Sequence, residues 1–84
     1  MTTSQINRSQ IDKSIDARGM PCPGPLMNLI GAIRQGPVGQ VVEVLSSDEG
    51  SRTDIPAWLA KARHELVEVV EEDGYVRFVV RQAR

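Results

Sequence analysis

The stretch Met20-Pro21-Cys22-Pro23-Gly24-Pro25 constrains this chain more than any other. It holds three of the five prolines and the single cysteine. Proline lacks a backbone N–H and is tolerated in the first turn of a helix, where that N–H would be orphaned anyway. Behind the block, Leu26, Leu29, Ile30 and Ile33 recur at helical spacing. The block therefore reads as the join between a strand and a helix, with Pro23 as the first helical residue and Cys22 at the N-cap. A sulfur there faces free N–H groups and the positive end of the helix dipole. That setting favours thiolate over thiol. The alternative is a cysteine that packs as a small hydrophobe.

Upstream, Ile11, Lys13, Ile15 and Ala17 alternate with Asp12, Ser14 and Asp16, the period of a strand with one buried face. Lys13 on the apolar side points to an edge strand or to a stem that snorkels out. Arg18-Gly19 turns the chain, glycine supplying a backbone shape that other residues resist. The first helix is expected from about Pro23 to Gln35, ended by Gly36-Pro37. It carries no acid, which suits a thiolate at its start. Gln40 to Ser46 is a β-branched run, apolar on both faces except at Glu43, and reads as an interior strand. Ser51 or Thr53 is a candidate cap for a second helix, whose stripe is Ile55, Trp58, Leu59 and Ala62 and whose Pro56 is expected near its start. Leu66 to Glu71 and Tyr75 to Arg81 are two strands joined at Asp73-Gly74, a strong hairpin signal. In the last strand Val76, Phe78 and Val80 form one face; Tyr75, Arg77, Val79 and Arg81 form the other, expected to be mostly wet. The order β-α-β-α-β-β implies an α/β two-layer sandwich, with two helices on one face of a four-stranded mixed sheet.

A chain of 84 residues supports one small domain. Residues 1–9 read as a mobile tail and 10–84 as the domain. The first ten residues lack the apolar block of a signal peptide, and no apolar run approaches a membrane span. One cysteine cannot close an internal disulfide, so the thiol fits a reducing, cytoplasmic setting. The formal net charge of −1 provides no field toward nucleic acid or membrane.

The chemistry available is narrow. Cys22 and His64 lack the spacing of a metal cluster, so no metal and no cofactor are expected. His64, at the start of the third strand, reads as structural or helix-terminal. Gly24-Pro25 follow Cys22-Pro23, so there is no C-x-x-C redox pair. What remains is a lone thiolate able to carry a group. A persulfide is a reversible cap on cysteine, and it passes its outer sulfur on when another thiolate attacks it; a low leaving-group pKa speeds that step. This relay needs no base, metal or second cysteine in the carrier. Donation to another protein requires a contact surface, for which Met20, Pro21, Gly24 and Met27 are the candidates. Met27 points away from the helix stripe, where an exposed methionine makes an adaptable contact. The competing reading is a regulatory or binding module whose cysteine senses oxidants.

The segment Asp16-Ala17-Arg18-Gly19-Met20-Pro21-Cys22-Pro23-Gly24-Pro25 resembles the D-x-x-G-x-x-C-P-x-P signature of the TusA/SirA-like sulfur-carrier family. Asp54-Ile55-Pro56 and His64-Glu65-Leu66 are similar to further segments of that family. The resemblance covers about residues 11 to 82. It implies a βαβαββ sandwich similar to the C-terminal domain of a bacterial translation initiation factor, with Cys22 as persulfide carrier. It implies a relay rather than a stand-alone enzyme. The implied partners are a sulfur donor (a cysteine desulfurase or rhodanese-like protein) and a sulfur-accepting protein, in tRNA thiolation, cofactor sulfuration or sulfur metabolism. Pro23 and Pro25 would shape the helix start, Gly19 the turn, and Asp16 would brace it. The chain departs from the usual pattern at Pro21, at Ile30-Gly31, where many members carry Arg-Lys, and at Arg63, where many carry glycine.

Overall fold

The computed structural model describes residues 8–21 and 23–84. The expected element order is present: β1 (Lys13–Asp16), α1 (Gly24–Gln35), β2 (Val41–Ser46), α2 (Ser51–Ala62), β3 (Glu65–Glu72) and β4 (Tyr75–Arg81). Of the nine residues read as a tail, 1–7 lie outside the described residues, and Arg8–Gln10 forms a single 3-10 turn.

The strands form one sheet in the order β1-β2-β4-β3. β1 pairs parallel to β2, whereas β4 pairs antiparallel to both β2 and β3. Strand β4 thus returns between β2 and β3, and β1 and β3 are the edges. Both helices cover one face. Leu29, Ala32 and Ile33 of α1 and Ile55 and Leu59 of α2 meet Val42, Val44, Val76, Phe78 and Val80 in a common buried cluster. Leu26 and Trp58 pack at its margin. At ~1.5–3 kcal/mol for each fully buried large apolar side chain, this layer dominates the stability.

The opposite face departs from expectation. Val79 is fully buried, with Val41, Ile11 and Val67 around it. Arg77 is mostly buried as well. It donates to Glu43 at 3.3 Å and to Glu68 at 3.2 Å, and Glu43 also accepts from Ser14 Oγ at 2.6 Å. Glu43, the one acid in the interior strand, is therefore sealed beneath an arginine instead of facing water. Alternation along β4 alone does not reveal this, because the partners are Ile11 ahead of β1, Ser14 of β1 and Val67 and Glu68 of β3.

Both helix ends differ in detail. α2 starts without a side-chain cap: its N-cap is Gly50, and Ser51 turns inward to Ser46 Oγ at 2.7 Å. Thr53 does not cap either, since its N–H bonds the Gly50 carbonyl in a tightened first turn. Pro56 is the sixth helical residue, past the first turn, and removes one i→i−4 bond there. At the far end Arg63 adopts φ 65°, a left-handed conformation that favours glycine, and His64 N–H closes back on the Leu59 carbonyl. Helix α1 ends at Gly36 in an extended conformation, so glycine is needed there for space. A Cβ would collide with the Gln40 carboxamide, which itself bonds Ala32 O and Gln82 Oε1.

Removing one member of a buried ion pair strands the other charge, at a cost of about 3–5 kcal/mol. Arg77→Met is expected to lose about that much in urea unfolding, most of a small domain's stability. Glu43→Gln, which removes the charge and keeps an acceptor for Ser14, is expected to lose clearly less. Equal losses would show that packing, and not the stranded carboxylate, sets the cost.

Candidate functional site

Parallel strands end on the same side of a sheet, so the segments leaving β1 and β2 meet there. Beyond β1, Met20 N–H bonds the Ala17 carbonyl at 3.2 Å and closes a turn. Gly19 sits in it at φ 84° with open space around its α-carbon, so the requirement for glycine is conformational. Its N–H donates to Ser47 Oγ at 2.8 Å, which ties the turn to the segment after β2. Asp16 accepts from Arg18 Nε at 2.8 Å and Nη2 at 2.7 Å, and from the Arg18 N–H at 3.2 Å. Arg18 in turn lies over the Tyr75 ring, 4.9 Å from its centroid. The Arg18 hydrogen bonds lower the Asp16 pKa to about 2.

Cys22, the central sequence candidate, lies outside the described residues, so the site is framed by its neighbours. The helix starts one residue later than expected. Gly24 is its first residue, Pro23 is the N-cap and Pro25 is in the first turn. Cys22 therefore precedes the N-cap by one position. Gly24 N–H bonds the Pro21 carbonyl at 2.9 Å and brackets position 22; Met27 N–H bonds the Pro23 carbonyl at 2.8 Å. The shift has a backbone cause, since a proline at 23 has no donor to give and the 21–24 bond forms a turn ahead of the helix. It also thins the donors at the helix start, because Pro25 has no N–H. No acid lies in the first turn.

The remaining candidates surround this point unevenly. Pro21 and Pro23 are exposed and Pro25 is buried against the core. Met20 lies over Gly24, where an added Cβ would come within 3.3 Å of Met20 Cβ; its sulfur accepts from Asn28 Nδ2 at 3.4 Å. Met20 and Met27 are 41% and 57% exposed, so Met27 does not fill space against α2. A hollow of about 200 Å³ lies between Gly19, Met20, Pro21, Ser47 and Asp48. Ser47 and Asn28 are polar residues that no local pattern distinguishes; only their partners, the Gly19 N–H and the Met20 sulfur, do.

His64 stands at the opposite end of the sheet. The residues beginning β2 and β3, Val41 and Glu65, both pair with Arg81, whereas Cys22 follows the far end of β1. The His64 ring stacks near Trp58, centroids 5.6 Å apart, and its Nδ1 accepts from Ala83 N–H at 3.1 Å. Burial, then the Arg84 charge, lowers its pKa. Among the described residues no cluster of His, Cys, Asp and Glu is placed to hold a metal ion, and no helix is long and apolar enough to cross a membrane.

The sequence profile described as Sulfurtransferase TusA matches residues 13–82, nearly the whole fold. This chain belongs to the TusA family. Among its TusA-family relatives, a proposed sulfur carrier protein of Archaeoglobus fulgidus is 59% identical over 70 residues, covering 83% of this chain and 96% of that protein. The sulfur carrier protein TusA of Pseudomonas fluorescens is 36% identical over 72 residues, covering 86% and 87%. The crystal structure of a SirA-like protein from Desulfitobacterium hafniense superposes with a TM-score of 0.75 at 27% identity, covering 86% of this chain and 99% of that one. The sandwich described above is therefore the fold of the TusA/SirA-like family.

The Asp16–Arg18 contact makes a pH prediction. A carboxylate held near 2 in the fold, against ~3.9 when unfolded, contributes stability that is complete above ~3.9 and is lost as pH falls through about 2. The Asp16 carboxyl resonance is expected to titrate near pH 2, and Arg18→Gln to return its midpoint toward ~3.9. An unmoved midpoint would show that Arg18 does not hold this turn.

Proposed function

We propose that this TusA-family protein carries sulfane sulfur as a persulfide on Cys22 and relays it between a donor and an acceptor protein. One observation supports this above the others: Cys22 is the only thiol of a chain whose relatives are named sulfur carriers. In loading, the Cys22 thiolate attacks the outer sulfur of a donor persulfide. A new S–S bond forms, and the electron pair of the broken bond leaves on the donor's own cysteine. In unloading, the acceptor thiolate attacks the outer sulfur on Cys22, and the Cys22 thiolate departs. Neither step changes the total oxidation state, and neither needs a metal, a cofactor or a base from the carrier.

The neighbours of Cys22 have separable roles. Asp16 and Gly19 hold the turn before it, and Pro23 and Pro25 shape the helix start after it. The dipole of α1 and its acid-free first turn favour the thiolate, which helps both capture and departure. Met20, Pro21, Gly24 and Met27 form the surface against which partners dock. The donor is a cysteine desulfurase or rhodanese-like protein and the acceptor a protein of tRNA thiolation, cofactor sulfuration or sulfur metabolism. A cytoplasmic setting, where thiols stay reduced, suits this chemistry.

Cys22→Ser is expected to fold normally and to hold no cyanide-releasable sulfur after incubation with thiosulfate and a rhodanese. Mass spectrometry of the parent protein should show a mass gain of one sulfur atom; gain of oxygen or glutathione alone would favour an oxidant sensor. Met27→Glu is expected to shift stability by no more than about 0.5 kcal/mol and to leave loading intact. Single-turnover transfer to an acceptor should slow at least tenfold, because a carboxylate is forced into a contact that excludes water. Unchanged transfer would place Met27 outside the docking surface.

A further inference from the structure

We infer that the free edge of β1, with the cleft between it and α1, is a docking groove for an extended segment of a partner protein, which adds to the sheet as a fifth strand. Among the described residues strand β1 has one neighbour, β2. Ala17 N–H bonds the Leu45 carbonyl at 2.9 Å, and in a regular strand alternate residues turn their backbone groups toward the neighbour. Ile15 and Ala17 therefore face β2, and Ser14 and Asp16 present N–H and C=O outward, where a further strand would bond them.

The two edges of the sheet are not equivalent. β3 is interrupted by a bulge between Leu66 and Glu68, and it carries Glu65, Glu68, Glu71 and Glu72. A bulge is one of the usual means of blocking an edge, and the register of β1 has none. β1 has a regular four-residue register, Lys13 to Asp16 against Val42 to Leu45. Beside it lies an open cleft of about 410 Å³. Ile15, Met27 and Ala32 line it beside the polar Ser14, Asn28 and Gln35, and Gly31 leaves it wide, since a Cβ there would meet nothing within 4 Å.

The cleft also indicates the occupant's chemistry. Lys13 is the one charged residue in its lining, and no carboxylate is present there. A matching segment is extended, with small apolar and hydroxyl side chains that suit a lining of both kinds and an acidic residue beside Lys13. An edge of four residues is only ~13 Å long. That is too short to build the ~1,200 Å² of a stable dimer, which favours a transient heterologous contact over a second copy. The inference rests on the relay reading for its purpose, since Met27 borders both this groove and the proposed docking surface, but its test does not use sulfur.

The test is an NMR titration of labelled Cys22→Ser protein with a blocked synthetic peptide of alternating valine and threonine that carries one terminal glutamate. Millimolar peptide is expected to shift and protect the Ser14 and Asp16 amides more than those of Ile15 and Ala17. N-methylation of the peptide's edge-facing amides should weaken binding at least tenfold. Gly31→Gln, which fills the cleft while improving the helix, should do the same without lowering the melting temperature. Absence of binding, shifts at β3, or indifference to N-methylation would overturn the groove. So would shifts that grow with protein concentration alone, which would mean a second copy. Sulfur loading of the parent protein, measured separately, tests the relay reading, so that either can fail without the other.

Discussion

The parallel pairing of β1 with β2 is the constraint on which the rest of this protein depends. Two strands that run the same way cannot be joined by a tight turn, so the chain must cross the sheet between them. Here the crossing is α1, which buries Leu29, Ala32 and Ile33 on its way. The crossing also fixes where the Pro-Cys-Pro block lies: at the carboxyl end of β1, beside the segment leaving β2. The hydrogen bond from Gly19 to Ser47 spans 28 residues of sequence, and it exists because those two strands end together.

Around that frame the chain separates rigidity from access. The core face is apolar and shared by both helices. The other face is held by Arg77 and its glutamates, an arrangement that is weak as net stabilisation but costly to break. The turn before position 22 is held by Asp16, Arg18, Tyr75 and Ser47, all contributing through polar or ring contacts at the surface. Methionines 20 and 27 stay exposed beside it. A group carrier benefits from this division. In the proposed relay, position 22 needs a defined backbone on either side and open approach from without.

Much of this was legible in the residues. The alternation in Ile11 to Ala17, the helical recurrence from Leu26 to Ile33, the β-branched run Val41 to Leu45 and the Asp73-Gly74 turn each follow from local geometry, and each became the expected element. Lys13 on an apolar face leaves an edge strand and a snorkelling stem both open, and the sheet order makes β1 an edge. Gly19 was marked as a turn residue, and it has a positive φ. The helix start moved by one residue because prolines favour both a turn and a helix N-terminus, and local sequence does not choose between them. Ser51 and Thr53 did not cap α2, because Ser51 finds a buried partner in Ser46 that lies across the loop.

The element order, the apolar faces and the isolation of one thiol at a strand-to-helix join are legible in the residues alone. These depend on periodicity, on proline and glycine stereochemistry and on composition, all of which act within a few residues. Tertiary contacts are needed to insert β4 between β2 and β3, to seal Glu43 under Arg77 and to leave β1, among the described residues, at the sheet edge beside a cleft. Each of those results from contacts between residues tens of positions apart, whose partners become neighbours only when the sheet closes.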